Sequence, residues 1–313
     1  MAAGLAQMAY GRSKGMRIQE AAALGVLAGA GLTAACLKRS AWERSSLRVA
    51  EYTLHSNKLR GGERVFVFLS DLHDACFGAD NAALIQKIED LRPDAVLIGG
   101  DMMTVKKTAE IGLTLSLARR LAERWPLFYA EGNHESRLNR DRGRYGALYD
   151  ELRAELSHYG VCFLRDESVR FGEDIEISGL FITENYYRRF HCDRMRGEYL
   201  SAHLGVASEG RYHILMAHSP QFFEAYAAWG ADLTLAGHFH GGTIQLPGQI
   251  GLMTPQFQLF ERRVTGLHRL GHSSMIVSPG LGTHSIRLRI NNPPQIVAVH
   301  LKGAEKEWQR KFH

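Results

Sequence analysis

The sequence predicts an α/β fold that follows an apolar N-terminal segment. In the first half of the chain, short apolar runs alternate with stretches of helical periodicity, and the second half holds further short apolar runs. Such alternation is typical of a sheet whose strands are joined by crossover helices. The 313 residues are enough for one large α/β domain or two small ones with a substantial core.

Composition places the chain among globular proteins and limits the classes of partner that it is expected to bind. Hydrophobic residues make up 45% and charged residues 23% of the chain, and the formal net charge is +5. This mild excess suits an anionic substrate or an anionic membrane surface, but it is too diffuse to indicate nucleic-acid binding. The four cysteines form no CxxC pair, which argues against a zinc finger or a disulfide framework. The sequence indicates no obligate protein partner.

The apolar N-terminal segment spans residues 21–37, carries no charge and has basic residues on both sides. A helix of this length, at about 1.5 Å per residue, only just spans the hydrocarbon core of a bilayer. We predict a short membrane anchor here; a cleaved signal peptide and a buried or surface helix stay open as alternatives. The flanking basic residues do not predict which side of the membrane the chain occupies.

The predicted elements of the first half follow from local pattern. Runs of consecutive apolar, β-branched and aromatic residues predict buried strands, and apolar residues at helical spacing predict helices. In order, these are a possible strand at 47–54, a strand at 65–70, a helix at 81–91, a strand at 95–100, a helix at 108–125, a strand at 126–132, a helix at 145–159 and a strand at 161–164.

Short apolar runs in the second half predict mainly strands, at residues 175–180, 213–217, 233–236, 275–278 and 296–301. Residues 183–211 have little periodicity, and we interpret them as an insertion between strands. The predicted organisation is a tail with the anchor at 1–40, a lead-in linker at 41–62, a globular domain at 63–303 and a basic tail at 304–313.

Polar residues follow five of the predicted strands at the point where each strand ends. They are Asp71, His73, Asp101, Asn133, His134, Glu135, His218, His238 and His240. Rigid strands of an α/β sheet direct side chains from their ends into one crevice, where active sites gather. A single Asp or His in this position is more often an ordinary polar residue. Repetition at five strand ends instead predicts a functional site.

These residue types suit a particular chemistry. Carboxylate, imidazole and amide oxygen ligands favour first-row divalent ions, and no thiolate demands a softer metal. Two such ions about 3.5–4 Å apart clamp a phosphoryl group and activate water. Two carboxylates against two dications leave a net positive charge of about 2, which suits an anionic phosphate.

The order of these blocks resembles the signature of the calcineurin-like metallophosphoesterases. The blocks are Asp71-Leu72-His73, Gly99-Gly100-Asp101, Gly132-Asn133-His134-Glu135, His218 and Gly237-His238-Phe239-His240, and the resemblance covers about residues 64–301. Any single block is weak, whereas five in this order are specific. The resemblance implies a four-layer α-β-β-α sandwich, with two mixed sheets flanked by helices, after the short N-terminal hydrophobic helix.

The resemblance also implies the role of each residue. Two divalent ions (Mn, Fe, Zn or Mg) are expected, the first held by Asp71, His73 and His240. Asn133, His218 and His238 hold the second, and Asp101 bridges both. A metal-bound hydroxide attacks phosphorus in line. His134 donates to the phosphoryl group or the leaving oxygen, and Glu135 orients this loop.

Within the family, the chain resembles the bacterial group named transmembrane protein with metallophosphoesterase domain. The N-terminal apolar segment and the late motifs Ser278-Pro279-Gly280-Leu281-Gly282-Thr283 and Asn292-Pro293-Pro294-Gln295-Ile296 carry this resemblance. Some relatives hydrolyse the pyrophosphate of UDP-2,3-diacylglucosamine in lipid A synthesis. This implies a lipid-linked phosphate ester as substrate and location at the bacterial cell membrane.

Two basic stretches are candidates for substrate recognition. Arg137 follows His134 by three residues, and Arg188 and Arg189 lie in the insertion at 183–211. Guanidinium groups pair well with phosphate oxygens, although surface arginines are more often simply solvated. We therefore predict a phosphodiester or pyrophosphate hydrolase. The alternatives are a soluble or secreted phosphomonoesterase and an inactive binding scaffold on the same fold.

Overall fold

In a computed structural model, residues 2–190, 193–283 and 287–304 are described, with side chains from residue 24 onward. The chain divides into two units, Met1–Trp42 and Glu43–His313. Helix α1 runs from Ala2 to Ser45, so the predicted apolar helix is part of a much longer one. Within the described residues no helix is long and apolar enough to cross a membrane, so the structure does not support the transmembrane anchor predicted for residues 21–37.

The second unit contains a six-stranded mixed sheet built mainly from the first half of the chain. Its strands, in spatial order, are β1 (Arg48–Ser56), β15 (Gln295–Gly303), β2 (Arg64–Leu69), β3 (Ala95–Ile98), β4 (Leu127–Ala130) and β5 (Cys162–Leu164). Only the β15–β2 pair is antiparallel. The parallel strands β2, β3 and β4 therefore end at the same edge.

A second six-stranded mixed sheet comes from the second half. Its spatial order is β13 (Gly266–Leu270), β14 (Ser273–Val277), β9 (Leu233–Ala236), β8 (Tyr212–Ala217), β7 (Ile175–Leu180) and β6 (Glu167–Phe171). Each edge strand, β13 and β6, pairs antiparallel with its neighbour, and the inner pairs are parallel. A separate antiparallel sheet contains β10 (Gln245–Leu246), β11 (Ile250–Met253) and β12 (Leu259–Glu261).

Helices cover the outer face of each large sheet. They are α2 (Ala82–Asp90), α3 (Gly112–Ala122), α4 (Asn133–Arg140), α5 (Arg142–Tyr145) and α6 (Leu148–His158) in the first half, and α7 (Gly197–Leu204) and α8 (Phe223–Trp229) in the second. Apolar faces of α2, α3 and α6 share a core with the first sheet, and those of α7 and α8 share one with the second. The predicted four-layer sandwich is confirmed.

Strand β2 shows why the central strands are continuously apolar. Phe66 and Phe68 point into the core between the two sheets, whereas Val67 and Leu69 point into the core beneath the helices. Successive strand residues face opposite sides, so a strand buried on both faces needs apolar residues at every position. This burial fixes the strand ends, and with them the loops that follow.

Parts of the predicted organisation differ in the structure. Residues 41–62, predicted as a linker, contain the last turn of α1 and strand β1, which pairs with β15 and completes the first sheet. The possible strand at 47–54 is thus confirmed, and the domain begins earlier than residue 63. The insertion at 183–211 contains helix α7, whose Leu200 is fully buried. The basic tail lies outside the described residues beyond 304.

Candidate metal centre

The polar residues predicted as ligands lie where the chain bends sharply after its strands. Asp71, His73, Asp101, His238 and His240 have φ values of 51°, 45°, 54°, 64° and 48°. Few residues other than glycine adopt this left-handed conformation, and the strain it stores is concentrated at functional sites. The bends turn all five side chains into one buried cluster.

The first predicted ligand set is assembled. The Nε2 atoms of His73 and His240 lie 3.2 Å apart. The Oδ1 atom of Asp71 lies 3.5 Å from Nε2 of His240 and 3.9 Å from Nε2 of His73. One ligand atom from each of these residues lies within 4.8 Å of the other two, a spacing that can hold a metal ion.

A second group lies beside the first. Asp101, His218 and His238 also offer ligand atoms within 4.8 Å of one another, with Nε2 of His218 3.2 Å from Oδ2 of Asp101. The same Asp101 oxygen lies 3.8 Å from Nε2 of His73 in the first set. Asp101 is therefore the carboxylate that lies between the two sets, as its predicted bridging role requires.

Two details show that these side chains fit a divalent ion. The Oδ1 atom of Asn133 is buried and has no hydrogen-bond partner, as expected of an amide oxygen reserved for a cation. The Nδ1 atom of His218 lies 2.7 Å from the carbonyl oxygen of Gly99. A proton on Nδ1 would donate to this carbonyl and leave the Nε2 lone pair for a metal, the arrangement common for ligating histidines.

The electrostatics of the cluster also favour cations. Burial alone would raise the pKa of Asp101, but His218, His134 and His73 hold it well below its usual range. Burial would lower the pKa of His218, yet the carboxylates of Asp101 and Asp71 raise it to about 10. Burial raises the pKa of Asp71 to about 6. A field that holds a proton so firmly on His218 will also attract a dication in its place.

His134 is oriented as a donor rather than a ligand. Its Nδ1 accepts a hydrogen bond of 2.7 Å from the backbone N–H of Val105, which places the proton of the neutral ring on Nε2. That Nε2 lies 4.0 Å from Oδ2 of Asp101. His134 is close enough to His73 and Asp101 to share an ion with them, but a protonated Nε2 cannot ligate. It can donate to a phosphoryl oxygen, as predicted.

Glu135 holds the two loops together. Its carboxylate accepts backbone N–H bonds from Asp101 at 2.9 Å, Met102 at 3.0 Å and Gly132 at 3.0 Å. It also accepts a 2.7 Å bond from the hydroxyl of Tyr129. Burial, together with the Asp101 charge, raises the pKa of Glu135 to about 7. These bonds give Glu135 the orienting position that the sequence predicted.

The three predicted substrate-binding arginines meet in one cavity of about 140 Å³. Arg137, Arg188 and Arg189 line it together with Asn133 and His238. One nitrogen of the Arg137 guanidinium already has a protein partner, because Nη1 donates to the carbonyl of Val105 at 2.8 Å. Arg188 and Arg189 are exposed. Substrate contact by these arginines stays a prediction, but they lie beside the predicted second ligand set.

Several residues that support the site were not predicted to do so. Arg289 is fully buried and donates to the carbonyls of Pro279, Gly280 and Asn292 at 2.9, 3.1 and 3.0 Å. It therefore fixes the 278–282 loop, which packs on the backbone of Ser70 and Asp71: the N–H of Leu281 donates to Ser70 O at 3.1 Å, and the N–H of Gly282 donates to Asp71 O at 2.6 Å. The sequence relates the motifs at 278–283 and 292–296 to the family only by resemblance, and this packing is their physical role.

Comparison with known proteins identifies the family. The calcineurin-like phosphoesterase family matches residues 64–242. The chain is 28% identical over 273 residues to the uncharacterized metallophosphoesterase YkuE of Bacillus subtilis (strain 168), covering 83% of this chain and 87% of that one. It is 26% identical over 244 residues to phosphodiesterase YaeI of Escherichia coli (strain K12), covering 75% and 81%.

A third relative is the transmembrane protein with metallophosphoesterase domain of Danio rerio, at 28% identity over 244 residues, 76% of this chain and 53% of that one. The predicted family resemblance is confirmed. With its metal-capable cluster of aspartates and histidines, the chain belongs to the calcineurin-like phosphoesterases and is a metal-dependent phosphoester hydrolase.

Proposed function

We propose that the protein hydrolyses a phosphodiester or a pyrophosphate with two divalent ions. The observation that carries this proposal is the pair of neighbouring ligand sets, Asp71–His73–His240 and Asp101–His218–His238, with Asp101 between them. Asn133 adds an amide oxygen to the second set. Ions bound here would supply Lewis-acid polarisation of the phosphoryl group and acidify water at neutral pH.

The chain's own groups complete the chemistry. Water adds to phosphorus, the P–O bond to the leaving group breaks, and the products are a phosphate monoester and an alcohol or a second phosphate. The Nε2–H of His134 would donate to the phosphoryl or leaving oxygen; the hydrogen bond from Val105 to the other ring nitrogen supports this role. Arg188 and Arg189 would pair with a further negative charge on the substrate.

A substrate with substituents on both sides of phosphorus fits the surroundings of the cluster. The arginine-lined cavity lies on the side of Asn133 and His238. A second cavity, of about 130 Å³, contains His240 and is lined by apolar residues that include Met253 and Leu288. Arg189 lines both cavities. A diester has two substituents to place in them, whereas a monoester has one, and the relative YaeI is named a phosphodiesterase.

The substrate we favour is a lipid-linked phosphate ester at a bacterial cell membrane, such as a nucleotide-linked lipid similar to UDP-2,3-diacylglucosamine. The apolar cavity beside His240 supports an apolar substituent. The exposed leucine and valine side chains of residues 24–37 in α1 support association with a membrane surface. The name of the Danio rerio relative is consistent with such a location.

A substrate panel on the metal-loaded protein tests the proposal. Bis(p-nitrophenyl) phosphate and p-nitrophenyl phosphate separate diester from monoester hydrolysis, and nucleotide-linked lipids and cyclic nucleotides probe the substituents. We expect a higher kcat/KM for diesters and pyrophosphates, and complete loss of turnover after chelation. Faster hydrolysis of the monoester would favour the phosphomonoesterase alternative and overturn the proposal.

A further inference from the structure

Four large apolar side chains beside the metal centre are exposed to solvent. The exposed fraction is 85% for Phe190, 38% for Phe257, 61% for Leu259 and 59% for Phe260. We call these four residues the aromatic rim. Single exposed apolar residues are common, but a contiguous group of them marks an interaction surface.

The rim unites two segments that are distant in sequence. The rings of Phe190 and Phe257 stack with a centroid separation of 5.0 Å and an interplanar angle of 6°. The backbone N–H of Phe190 also donates to the carbonyl of Gln256 at 3.4 Å. Leu259 and Phe260 follow Phe257 by two and three positions in the chain, on the edge strand β12.

The rim borders the apolar cavity of the active centre. Phe257 lines that cavity together with His240, Met253 and Leu288. A molecule whose apolar part lies against the rim can therefore present a phosphate to His240 over a short path. This continuity argues that the rim serves the reaction and is not an unrelated contact surface.

Basic residues accompany the aromatic ones. Arg188, Arg189 and Arg262 are exposed, and the guanidinium of Arg189 lies 5.0 Å from the centroid of the Phe257 ring. Aromatic and leucine side chains enter the boundary between headgroups and acyl chains, while arginines beside them pair with lipid phosphates. The net charge of +5 has the same sign as this surface. An anionic bilayer therefore matches the rim better than an apolar protein surface.

We propose that the aromatic rim docks on an anionic lipid surface and orients the His240 cavity toward phosphate esters embedded in it. The proposal rests on the proposed function, because docking on a lipid surface serves the hydrolase only if its substrate is lipid-linked. The docking itself is a binding event that is measured without hydrolysis. The two can therefore fail separately.

Depth-dependent fluorescence quenching tests the docking. In the 313-residue chain, Phe260→Trp adds a fluorophore to the rim, and the parent chain with its four tryptophans gives the background. Leu270→Trp is the matched control, since Leu270 is 43% exposed and pairs with Ser273 at the start of β14, at the end of the sheet opposite the site. Vesicles of phosphatidylglycerol and phosphatidylcholine carry brominated acyl chains.

We expect the vesicles to abolish most of the fluorescence that Phe260→Trp adds, and little of that added by Leu270→Trp. Because the quenching reports position 260 itself, binding through residues 21–37 does not produce it. Equal quenching of the two variants, or no quenching, would overturn the proposal. Loss of diester hydrolysis with quenching intact would instead refute the proposed function alone.

A double variant, Leu259→Ser with Phe260→Asn, provides the second measurement. Asparagine tolerates the left-handed conformation that Phe260 adopts at φ 56°. We expect partition onto the phosphatidylglycerol vesicles to fall by about fivefold or more, with unchanged hydrolysis of bis(p-nitrophenyl) phosphate in solution. A concentration-dependent dimer in mass photometry that this variant abolishes, with vesicle partition unchanged, would assign the rim to a second copy and reject the lipid surface.

Discussion

The side-chain amide of Asn292 donates a hydrogen bond of 2.6 Å to the backbone carbonyl of His240, 52 positions earlier in the chain. Asn292 is itself held, because the buried carboxylate of Glu43 accepts the backbone N–H groups of Asn291 at 3.0 Å and Asn292 at 2.9 Å. A Cβ at Gly241 would overlap the side chain of Asn292. A predicted ligand of the first ion is thus fixed in place by the 289–292 segment.

Asn292→Ala is expected to weaken binding of the ion held by Asp71, His73 and His240. Groups that orient metal ligands contribute about 10–100-fold to affinity. Metal titration followed by elemental analysis measures this directly. Asn291→Gly is the matched control, because Asn291 is exposed and its φ of 55° suits glycine. Equal metal affinity in Asn292→Ala and the parent would show that this bond does not position His240.

His134→Ala is expected to lower turnover by about 10²–10⁴-fold, the range for loss of a general acid. Metal content should stay unchanged, because Val105 holds Nδ1 and leaves a protonated Nε2. Steady-state kinetics with metal analysis of the same samples separates the two effects. If the variant lost one equivalent of metal, His134 would be a ligand and its assignment as donor would be wrong.

Asp101→Asn is expected to abolish activity and to lower metal occupancy, because a neutral amide cannot balance two dications from its position between the ligand sets. Chelation should give the same loss of activity in the parent. Asp74→Asn is a suitable control: Asp74 is near the cluster but exposed, and its carboxylate accepts the N–H of Thr104 at 2.9 Å. Full activity in Asp101→Asn would rule out a bridging carboxylate.

The elements predicted correctly from the sequence are those whose pattern burial dictates. Strands such as β2 and β3 are apolar at every position because both of their faces are covered. The small strands β10 and β12 are partly exposed, and α4 begins within the ligand loop at Asn133 with mostly polar residues. None of these three elements carries the periodicity that identifies a helix or a strand, so the sequence does not predict them.

The residues of the site also divide into those that local sequence predicts and those that it does not. Its proposed ligands all lie within four residues after a strand end, so local pattern and motif order are enough to predict them. The supporting contacts join distant parts of the chain, as when Glu43 binds the backbone of Asn292, 249 positions away. Nothing near Glu43 or Arg289 in the sequence encodes these partners. Only the fold brings them together, and the sequence therefore predicts the proposed ligands but not the groups that hold them.

Asp174→Asn is expected to reduce stability in a pH-dependent way. Burial alone would raise the pKa of Asp174, but the ion pair with Arg64 at 2.6 Å and the backbone N–H of Arg60 lower it. A lowered pKa contributes stability that is present above the unfolded value of about 3.9 and is lost as the pH falls through the folded value. At neutral pH we expect a deficit of about 2 kcal/mol.

Urea unfolding at a series of pH values measures this difference. The gap between parent and Asp174→Asn should be constant from neutral pH down to about pH 5 and should narrow below about pH 4. Asp150→Asn is the control, since Asp150 pairs with Arg142 on the exposed surface and contributes little. A gap that is the same at pH 3 and pH 7 would show that Asp174 stabilises the fold by packing alone.

Gly237→Ala tests how closely the second sheet approaches the first ligand. A Cβ at this position would overlap Oδ2 of Asp71 and lie 2.5 Å from Oγ of Ser70. Asp71 also accepts the N–H of His238 at 3.1 Å, so its carboxylate cannot move without losing that bond. We expect weaker metal binding and at least about tenfold lower activity. Gly112→Ala is the control, because a Cβ there meets no atom within 4 Å and alanine favours the helix. Gly237→Ala with normal metal affinity and activity would mean that the Asp71 turn tolerates displacement, and that the glycine before His238 serves another purpose.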